Sequence, residues 1–153
     1  MDIKIIGAGP GGLITGLMLL EAGFKPTIIE KNKEIISTLC AEGLSKDTLE
    51  RVPFGPWDTY AQESFEHATF IFPSNQKTRV EKSCLTMDRV SWFRAMAEKF
   101  KELGGILILG NEVKDLNDLK YDVLIDSSGP LSWISRKIVG NTLQIKPGVQ
   151  YKM

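Results

Sequence analysis

Six residues near the start of the chain form a glycine-rich turn that could bind a phosphate group. The segment Gly7-Ala8-Gly9-Pro10-Gly11-Gly12 fits the spacing G-x-G-x-x-G. In this pattern the first glycine allows a tight turn, the second lets a pyrophosphate approach the backbone, and the third allows a helix to pack closely on a strand. The anion would lie on the unpaired N–H groups and the positive end of the helix, so no lysine is required. The alternative is a turn that binds nothing.

Glu30 is the second candidate for chemistry, 23 residues after Gly7 at the end of an apolar segment. A carboxylate at this position can accept hydrogen bonds from both ribose hydroxyls of an adenosine, and it would repel a 2′-phosphate, so NADP is disfavoured. FAD and NAD share this fingerprint. The position at the N-terminus and the pair Glu30-Lys31 favour FAD, and NAD is the alternative. Without a ligand, Glu30 would be an exposed surface carboxylate.

Hydrophobic patterning predicts the elements that must position these residues. Residues 3–6 are apolar and predict a strand, 13–20 predict a buried helix that ends at Ala22-Gly23, and 27–30 predict a second strand. A strand before the glycines and a helix after them is the context that the fingerprint needs. The three elements predict a βαβ unit whose two strands are parallel.

The rest of the chain predicts further α/β structure. Residues 31–66 are irregular, and 68–72 with 77–82 predict a hairpin. Apolar residues at three- and four-residue steps then predict an amphipathic helix over 90–103, stopped by Gly104-Gly105. Two more strands are expected, at 106–109 and 123–126. The order predicts an α/β fold: one Rossmann-like doubly wound parallel sheet over residues 1–153, with a small antiparallel β insert at 66–84. The last five residues, 149–153, look like the start of another strand, which suggests that a downstream substrate domain is missing.

Composition excludes several classes of function. The 153 residues carry 19 Lys+Arg and 19 Asp+Glu, and this balance argues against nucleic-acid binding. Cys40, Cys84 and His67 are too few and too scattered for a metal site or a disulfide framework. The longest uncharged stretch, residues 5–20, is short for a membrane span and rich in glycine, and no basic segment precedes it as in a signal peptide.

Three further motifs follow one another along the chain: Cys40-Ala41-Glu42-Gly43-Leu44-Ser45, the segment from Leu85 to Arg89 with its helix, and Asp126-Ser-Ser-Gly129-Pro-Leu-Ser132. In this order they resemble the motifs of the archaeal geranylgeranyl reductase family. The third is shared with the wider p-hydroxybenzoate-hydroxylase-like flavoproteins. Arg136 follows Gly129 by seven residues, which is similar to the reductase spacing, whereas the aromatic hydroxylases commonly have arginine one position earlier. Ala41 departs from the family, which usually has glycine there.

The resemblance implies a FAD-dependent oxidoreductase that saturates C=C bonds of polyprenyl lipid chains by hydride transfer from reduced flavin. It places Cys40 and Glu42 beside the flavin ring as catalytic candidates. It implies a cofactor site made of two groups of residues, one around the glycine turn and one further along the chain: Gly7, Gly9, Pro10, Gly11, Gly12, Glu30 and Lys31, with Gly43, Ser45, Arg89, Asp126 and Gly129. Each of these residues also has an alternative role without a cofactor: Cys40 as a small buried residue, Glu42 as a solvated carboxylate, Arg89 as an exposed side chain, and Asp126 as the cap of its own turn. The tryptophans Trp57, Trp92 and Trp133 are expected to pack without touching the flavin.

The implied partners are FAD, an electron donor such as NAD(P)H, and, in a full-length protein, a polyprenyl lipid. Self-association could complete the substrate pocket. A cytoplasmic protein at the membrane surface is expected. Two other functions remain open: a monooxygenase or dehydrogenase of the same superfamily, and a FAD- or nucleotide-binding fragment without catalysis. Because the family's second flavin motif and its substrate domain lie downstream, this chain alone is expected to hold flavin weakly and to lack prenyl reductase activity.

Overall fold

The computed structural model describes residues 1–35, 40, 42–130 and 132–140. The predictions made for Ala41 and for a strand at 149–153 lie outside the described residues. The chain begins with a βαβ unit, as predicted. Strand β1 (Ile3–Ile6) is followed by helix α1 (Pro10–Glu21) and strand β2 (Thr27–Ile29), which pairs with β1 in parallel. Helix α1 ends at Glu21 with Ala22 as its C-cap, and Gly23 adopts φ +85°, a conformation that glycine accommodates at helix ends.

The main sheet is parallel throughout and has four strands. Strand β6 (Ile106–Ile108) pairs with β2, and strand β7 (Val123–Asp126) pairs with the other side of β1, so the order is β6-β2-β1-β7. The strand order therefore reverses at β1. In sheets of this kind, ligands bind in the crevice outside the carboxyl ends of the strands at such a reversal. The Rossmann-like doubly wound fold is confirmed.

Two apolar layers hold the main sheet. Helices α1 and α3 (Arg89–Glu102) cover one face, where Ile5, Leu13, Ile28 and Phe100 are fully buried. The opposite face is partly covered by a smaller cluster of apolar residues: Ile6, Ile29, Val113 and Ile134. The last of these lies on helix α4 (Trp133–Val139). The glycine turn between β1 and α1 is thus anchored by buried elements on both sides.

A three-stranded antiparallel sheet forms the insert and is larger than expected. It contains strand β3 (Gly43–Ser45), strand β4 (Ala61–Ile71) and strand β5 (Lys77–Met87), in the order β3-β5-β4, and a short helix α2 (Lys46–Glu50) follows β3. The strands of the hairpin thus begin before 66 and extend beyond 84. Most of β4 is exposed, so its first residues lack the apolar alternation by which a half-buried strand is recognised.

Candidate functional site

An open cleft of about 850 Å³ lies at the carboxyl ends of the parallel strands. It is lined by the glycine turn, the ends of β2 and β7, residues 111–113 and the start of α3. Of the predicted site residues, the following line it: Gly7, Gly9, Pro10, Gly11, Glu30, Lys31, Arg89, Asp126 and Gly129. Residues far apart in the sequence therefore meet at one place, where β1 and β7 end side by side.

The glycine turn has the geometry that its sequence predicted. The Gly7 N–H donates to the Ile29 carbonyl at 2.8 Å, and Gly7 has φ +101°. A Cβ at Gly7 would collide with the Ser127 carbonyl, and one at Gly12 would collide with the carbonyl of Gly7. Gly12 itself is buried, so its role is close packing of α1 on the turn. A Cβ at Gly9 would meet nothing within 4 Å, and Gly9 lines the cleft, which leaves room for a ligand against the backbone.

Helix α1 presents a positive, unneutralised end to this cleft. Its first residue is Pro10, which has no N–H, and its first intrahelical hydrogen bond runs from Leu13 N–H to the Gly9 carbonyl at 3.0 Å. The N–H groups of the preceding residues, Gly11 and Gly12, have no carbonyl one turn earlier to bind. The first turn has no acidic side chain and no side-chain cap. This end of the helix therefore offers N–H donors and a favourable dipole to an anion.

Glu30 is buried beside the turn and tied to it. Its Oε2 accepts a hydrogen bond from Ala8 N–H at 2.8 Å, and its Oε1 accepts from the backbone N–H of Asn32 at 2.8 Å and from Asn32 Nδ2 at 2.6 Å. Glu30 thus links the end of β2 to the glycine turn and also lines the cleft. A buried carboxylate held in this way is not the exposed surface group of the alternative hypothesis.

Asp126 directs its carboxylate into its own turn. Its Oδ1 accepts from Ser128 N–H at 3.1 Å and from Ser128 Oγ at 2.6 Å, and its Oδ2 accepts from Ser132 Oγ. Burial raises the pKa of Asp126, but the hydrogen bonds from Ser128 and Ser132 outweigh burial and hold that pKa below its ordinary value. Asp126 therefore shapes the turn that carries Gly129, which has φ +96°. This geometry agrees with the alternative hypothesis that Asp126 caps its own turn.

Arg89 and Phe93 form the wall that α3 contributes. The Arg89 guanidinium carbon lies 4.8 Å from the centroid of the Phe93 ring, within the range of a cation–π interaction. Both residues line the cleft. The ring therefore holds a positive charge in the wall of the cleft.

The residues predicted beside the flavin ring lie apart from this cleft. Cys40 is exposed, and Glu42, which has φ +62°, accepts a hydrogen bond from Met87 N–H through its carbonyl at 3.1 Å. Gly43 pairs with Thr86 of β5, and the Ser45 and Thr48 hydroxyls lie 2.7 Å apart. Cys40, Glu42, Gly43 and Ser45 are absent from the lining residues of the cleft. Their roles at a flavin stay predictions.

Several lining residues were missed by sequence reasoning. Asn32 directly follows the predicted pair Glu30-Lys31, and residues 111–113 follow the predicted strand at 106–109. The rule that carboxyl ends of parallel strands share one edge could have found these segments. Trp133 also lines the cleft, and its indole N–H donates to the Val113 carbonyl at 3.0 Å, so it braces the wall that residues 111–113 form.

Among the residues that the structure describes, no group of His, Cys, Asp and Glu side chains could hold a metal ion. Within the same parts of the chain, no helix combines the length and apolar character needed to cross a membrane.

These features define a dinucleotide-binding protein with a Rossmann-like fold. The open space at Gly9, the N–H groups of α1 and the buried Glu30 fit a pyrophosphate and an adenosine ribose. The chain belongs to the family described as "FAD binding domain", whose model matches residues 1–100. The cofactor of this family is FAD, so the chain is the FAD-binding domain of a flavoprotein.

The chain is also similar to individual proteins described as reductases or as reductase-like. The chain is 26% identical, over its whole length and 46% of the relative, to digeranylgeranylglycerophospholipid reductase 3 of Methanosphaera stadtmanae. It is 34% identical to reductase 1 of the same name from Methanopyrus kandleri, over 58% of the chain and 24% of the relative. A geranylgeranyl bacteriochlorophyll reductase-like protein from Thermoplasma acidophilum is similar in fold, with a TM-score of 0.62 and 22% identity, over 75% of this chain and 32% of that one. The chain thus spans less than half the length of these relatives.

Proposed function

We propose that this chain is the cofactor-binding part of a reductase that saturates isolated C=C bonds in polyprenyl chains of archaeal lipids. The observation that carries the proposal is the match over the whole chain to a relative named digeranylgeranylglycerophospholipid reductase. The spacing of Gly129 and Arg136 supports it. The cleft supports the cofactor half of the proposal, because it offers one site for a pyrophosphate and another for a ribose within one continuous surface.

The residues of the chain have separate tasks in this function. The N–H groups at the start of α1 bind the pyrophosphate, and Glu30 accepts from the ribose. Trp133 and the segment 111–113 form part of the cleft wall, and Arg89 adds a cation to its lining. Bound FAD supplies hydride chemistry, which belongs to the cofactor. The protein's contribution is to hold that cofactor in one orientation, and Cys40 and Glu42 are proposed to approach its ring.

The remaining partners follow from the proposed substrate. A polyprenyl lipid is confined to the bilayer, so the protein would work in the cytoplasm at the membrane surface, with NAD(P)H or another donor supplying electrons. Self-association is proposed as one way to complete the lipid site. Sedimentation with vesicles of archaeal lipid, compared with sedimentation without vesicles, tests the membrane location, and absence of the protein from the pellet would contradict it.

A chimeric enzyme tests the proposed reaction. Residues 1–140 would replace the matching part of the Methanosphaera relative. The chimeric protein would be incubated anaerobically with reduced FAD and a geranylgeranyl lipid. Mass spectrometry should show a gain of two hydrogens per saturated double bond. A chimera that binds FAD but leaves the lipid unchanged would contradict the prenyl reaction, and the flavoprotein class would stand. It would then favour the other superfamily activities or a non-catalytic nucleotide-binding chain.

A further inference from the structure

Asn32 contacts the Glu30 carboxylate through two separate donors. Its backbone N–H lies 2.8 Å from Oε1 of Glu30, and its side-chain Nδ2 lies 2.6 Å from the same oxygen. The other oxygen, Oε2, accepts from Ala8 N–H at 2.8 Å. Three donors from the protein therefore converge on one buried carboxylate, two of them from a residue that no sequence motif had singled out.

The backbone around Asn32 is fixed from the neighbouring strand. The Asn32 carbonyl accepts from Gly110 N–H at 2.8 Å, and the Glu30 backbone pairs with Ile108 and with Asn111 at 2.8 and 2.9 Å. The pairing of β2 with β6 thus continues past the ends of both strands. Asn32 is half-buried and lines the cleft. Its side chain consequently starts from an anchored backbone, which makes it a suitable brace for Glu30.

The number of donors limits what Glu30 can offer to a ligand. An ionised carboxylate has about four acceptor positions, two on each oxygen. Asn32 uses both positions on Oε1, and Ala8 uses one on Oε2. One position on Oε2 is left. A ribose has two adjacent hydroxyls, so this arrangement serves one of them and leaves the other to a different partner or to water.

We propose that Asn32 is a positioning residue that aligns Glu30 so that the cofactor is recognised through a single ribose hydroxyl. Asn32 acts through Glu30 and does not itself contact the ribose. The proposal concerns the adenosine end of the FAD site, and it does not depend on the lipid substrate. It narrows the sequence-based expectation that Glu30 accepts hydrogen bonds from both ribose hydroxyls.

Titration calorimetry of the 153-residue chain with ADP, 2′-deoxy-ADP and 3′-deoxy-ADP tests the single-hydroxyl arrangement. One deoxy analogue should bind about tenfold more weakly than ADP, the value of one charge-assisted hydrogen bond, and the other should stay within about twofold. Equal losses for the two analogues would overturn the proposal, as would no loss for either. This experiment uses the unmodified chain, so its result does not depend on whether a variant folds.

Variants test the role of Asn32. Asn32→Ala should weaken ADP binding by about fivefold and reduce the difference between the two analogues, because Glu30 can then turn. Asn32→Asp keeps the shape of the side chain but places a second carboxylate beside Glu30, so it should bind ADP more weakly still. Asn117→Ala, an exposed position away from the cleft, is the matched control. Thermal unfolding establishes that each variant is folded.

A double variant separates positioning from direct contact. In a Glu30→Ala background, Asn32→Ala should change ADP affinity by less than about twofold, since the group through which it acts is gone. The same fivefold loss in both backgrounds would show that Asn32 contacts the ligand directly. That result would overturn the proposal, and so would an Asn32→Ala variant with unchanged affinity and unchanged discrimination between the analogues.

Discussion

Glu30 combines a structural and a binding role in one side chain. It closes the glycine turn through Ala8 and faces the cleft. Glu30→Ala should weaken ADP and FAD binding by roughly ten- to a hundredfold, because a charge-assisted hydrogen bond contributes about 1.5–3 kcal/mol. It should also lower the free energy of unfolding by about 1–3 kcal/mol, since Ala8 N–H loses its buried partner. Calorimetry and urea unfolding measure the two effects.

The exposed Glu63 of β4 supplies a control of the same residue type. Glu63→Ala should leave both affinity and stability near the values of the parent chain. If Glu30→Ala and Glu63→Ala behaved alike, Glu30 would be no more than a surface carboxylate.

Asp126 makes the stability of the β7 turn sensitive to acid. Its folded-state pKa is held below the ordinary value by Ser128 and Ser132, against the opposing effect of burial. A depressed folded-state pKa contributes stability above the unfolded-state pKa, and that stability is lost as pH falls through the folded-state pKa. At pH values below about 4, where unfolded aspartates begin to bind protons, the melting temperature should therefore decrease.

The Asp126→Asn variant should show a shallower decline in melting temperature below that pH and a lower melting temperature at pH 7. The comparison is made in one buffer series by differential scanning calorimetry. If the melting temperatures of the parent chain and the variant decreased identically in acid, the Asp126 hydrogen bonds would not contribute to folding.

Helix α1 offers a matched pair of glycine substitutions at the element scale. Gly12→Ala would force a Cβ into the Gly7 carbonyl, whereas Gly9→Ala would place the methyl group in the open cleft, at φ −72°. Gly12→Ala should therefore cost at least the 1–3 kcal/mol typical of overpacking. Gly9→Ala should fold normally and lose pyrophosphate affinity, because the methyl group occupies the ligand's space.

Circular dichroism melts and ADP titration distinguish these two outcomes. The observation that would count against the assignment is a Gly9→Ala protein that binds ADP as tightly as the parent chain, because the cleft would then not hold the pyrophosphate at that position.

How far the sequence predicts each element depends on whether its signal is local. The βαβ unit and the glycine turn have local patterns, so they were predicted to within a few residues. Strand β3 has three residues, and the first half of β4 is exposed and polar, so neither shows a period that packing would impose. The Ser127 carbonyl behind Gly7 could not be predicted from any motif, because it depends on β7 pairing with β1.

The whole chain should bind the adenosine end of FAD better than the flavin end. The described cleft supplies groups for the pyrophosphate and the ribose, whereas Cys40 and Glu42 lie outside it. We expect ADP binding that is measurable by calorimetry, with NADP binding more weakly than NAD, and flavin that is lost on gel filtration. Absorbance of the eluted protein at the flavin band measures retention.

Retention of one FAD per chain, with turnover of a geranylgeranyl lipid, would contradict this expectation. Such a result would mean that the substrate pocket lies within these residues or is completed by a second copy of the chain. Tighter binding of NADP than of NAD would contradict the assignment of Glu30.

The position of β7 against β1 sets the order of events during synthesis on the ribosome. Gly7 emerges about 120 residues before the Ser127 backbone that packs behind it and the Ser128 turn that lines the cleft. Contacts of such long sequence separation form late and slowly. A nascent chain in which β7 has not yet emerged therefore carries the complete glycine motif without the complete cleft. FAD binding is therefore expected only after β7 has been synthesised and has paired with β1.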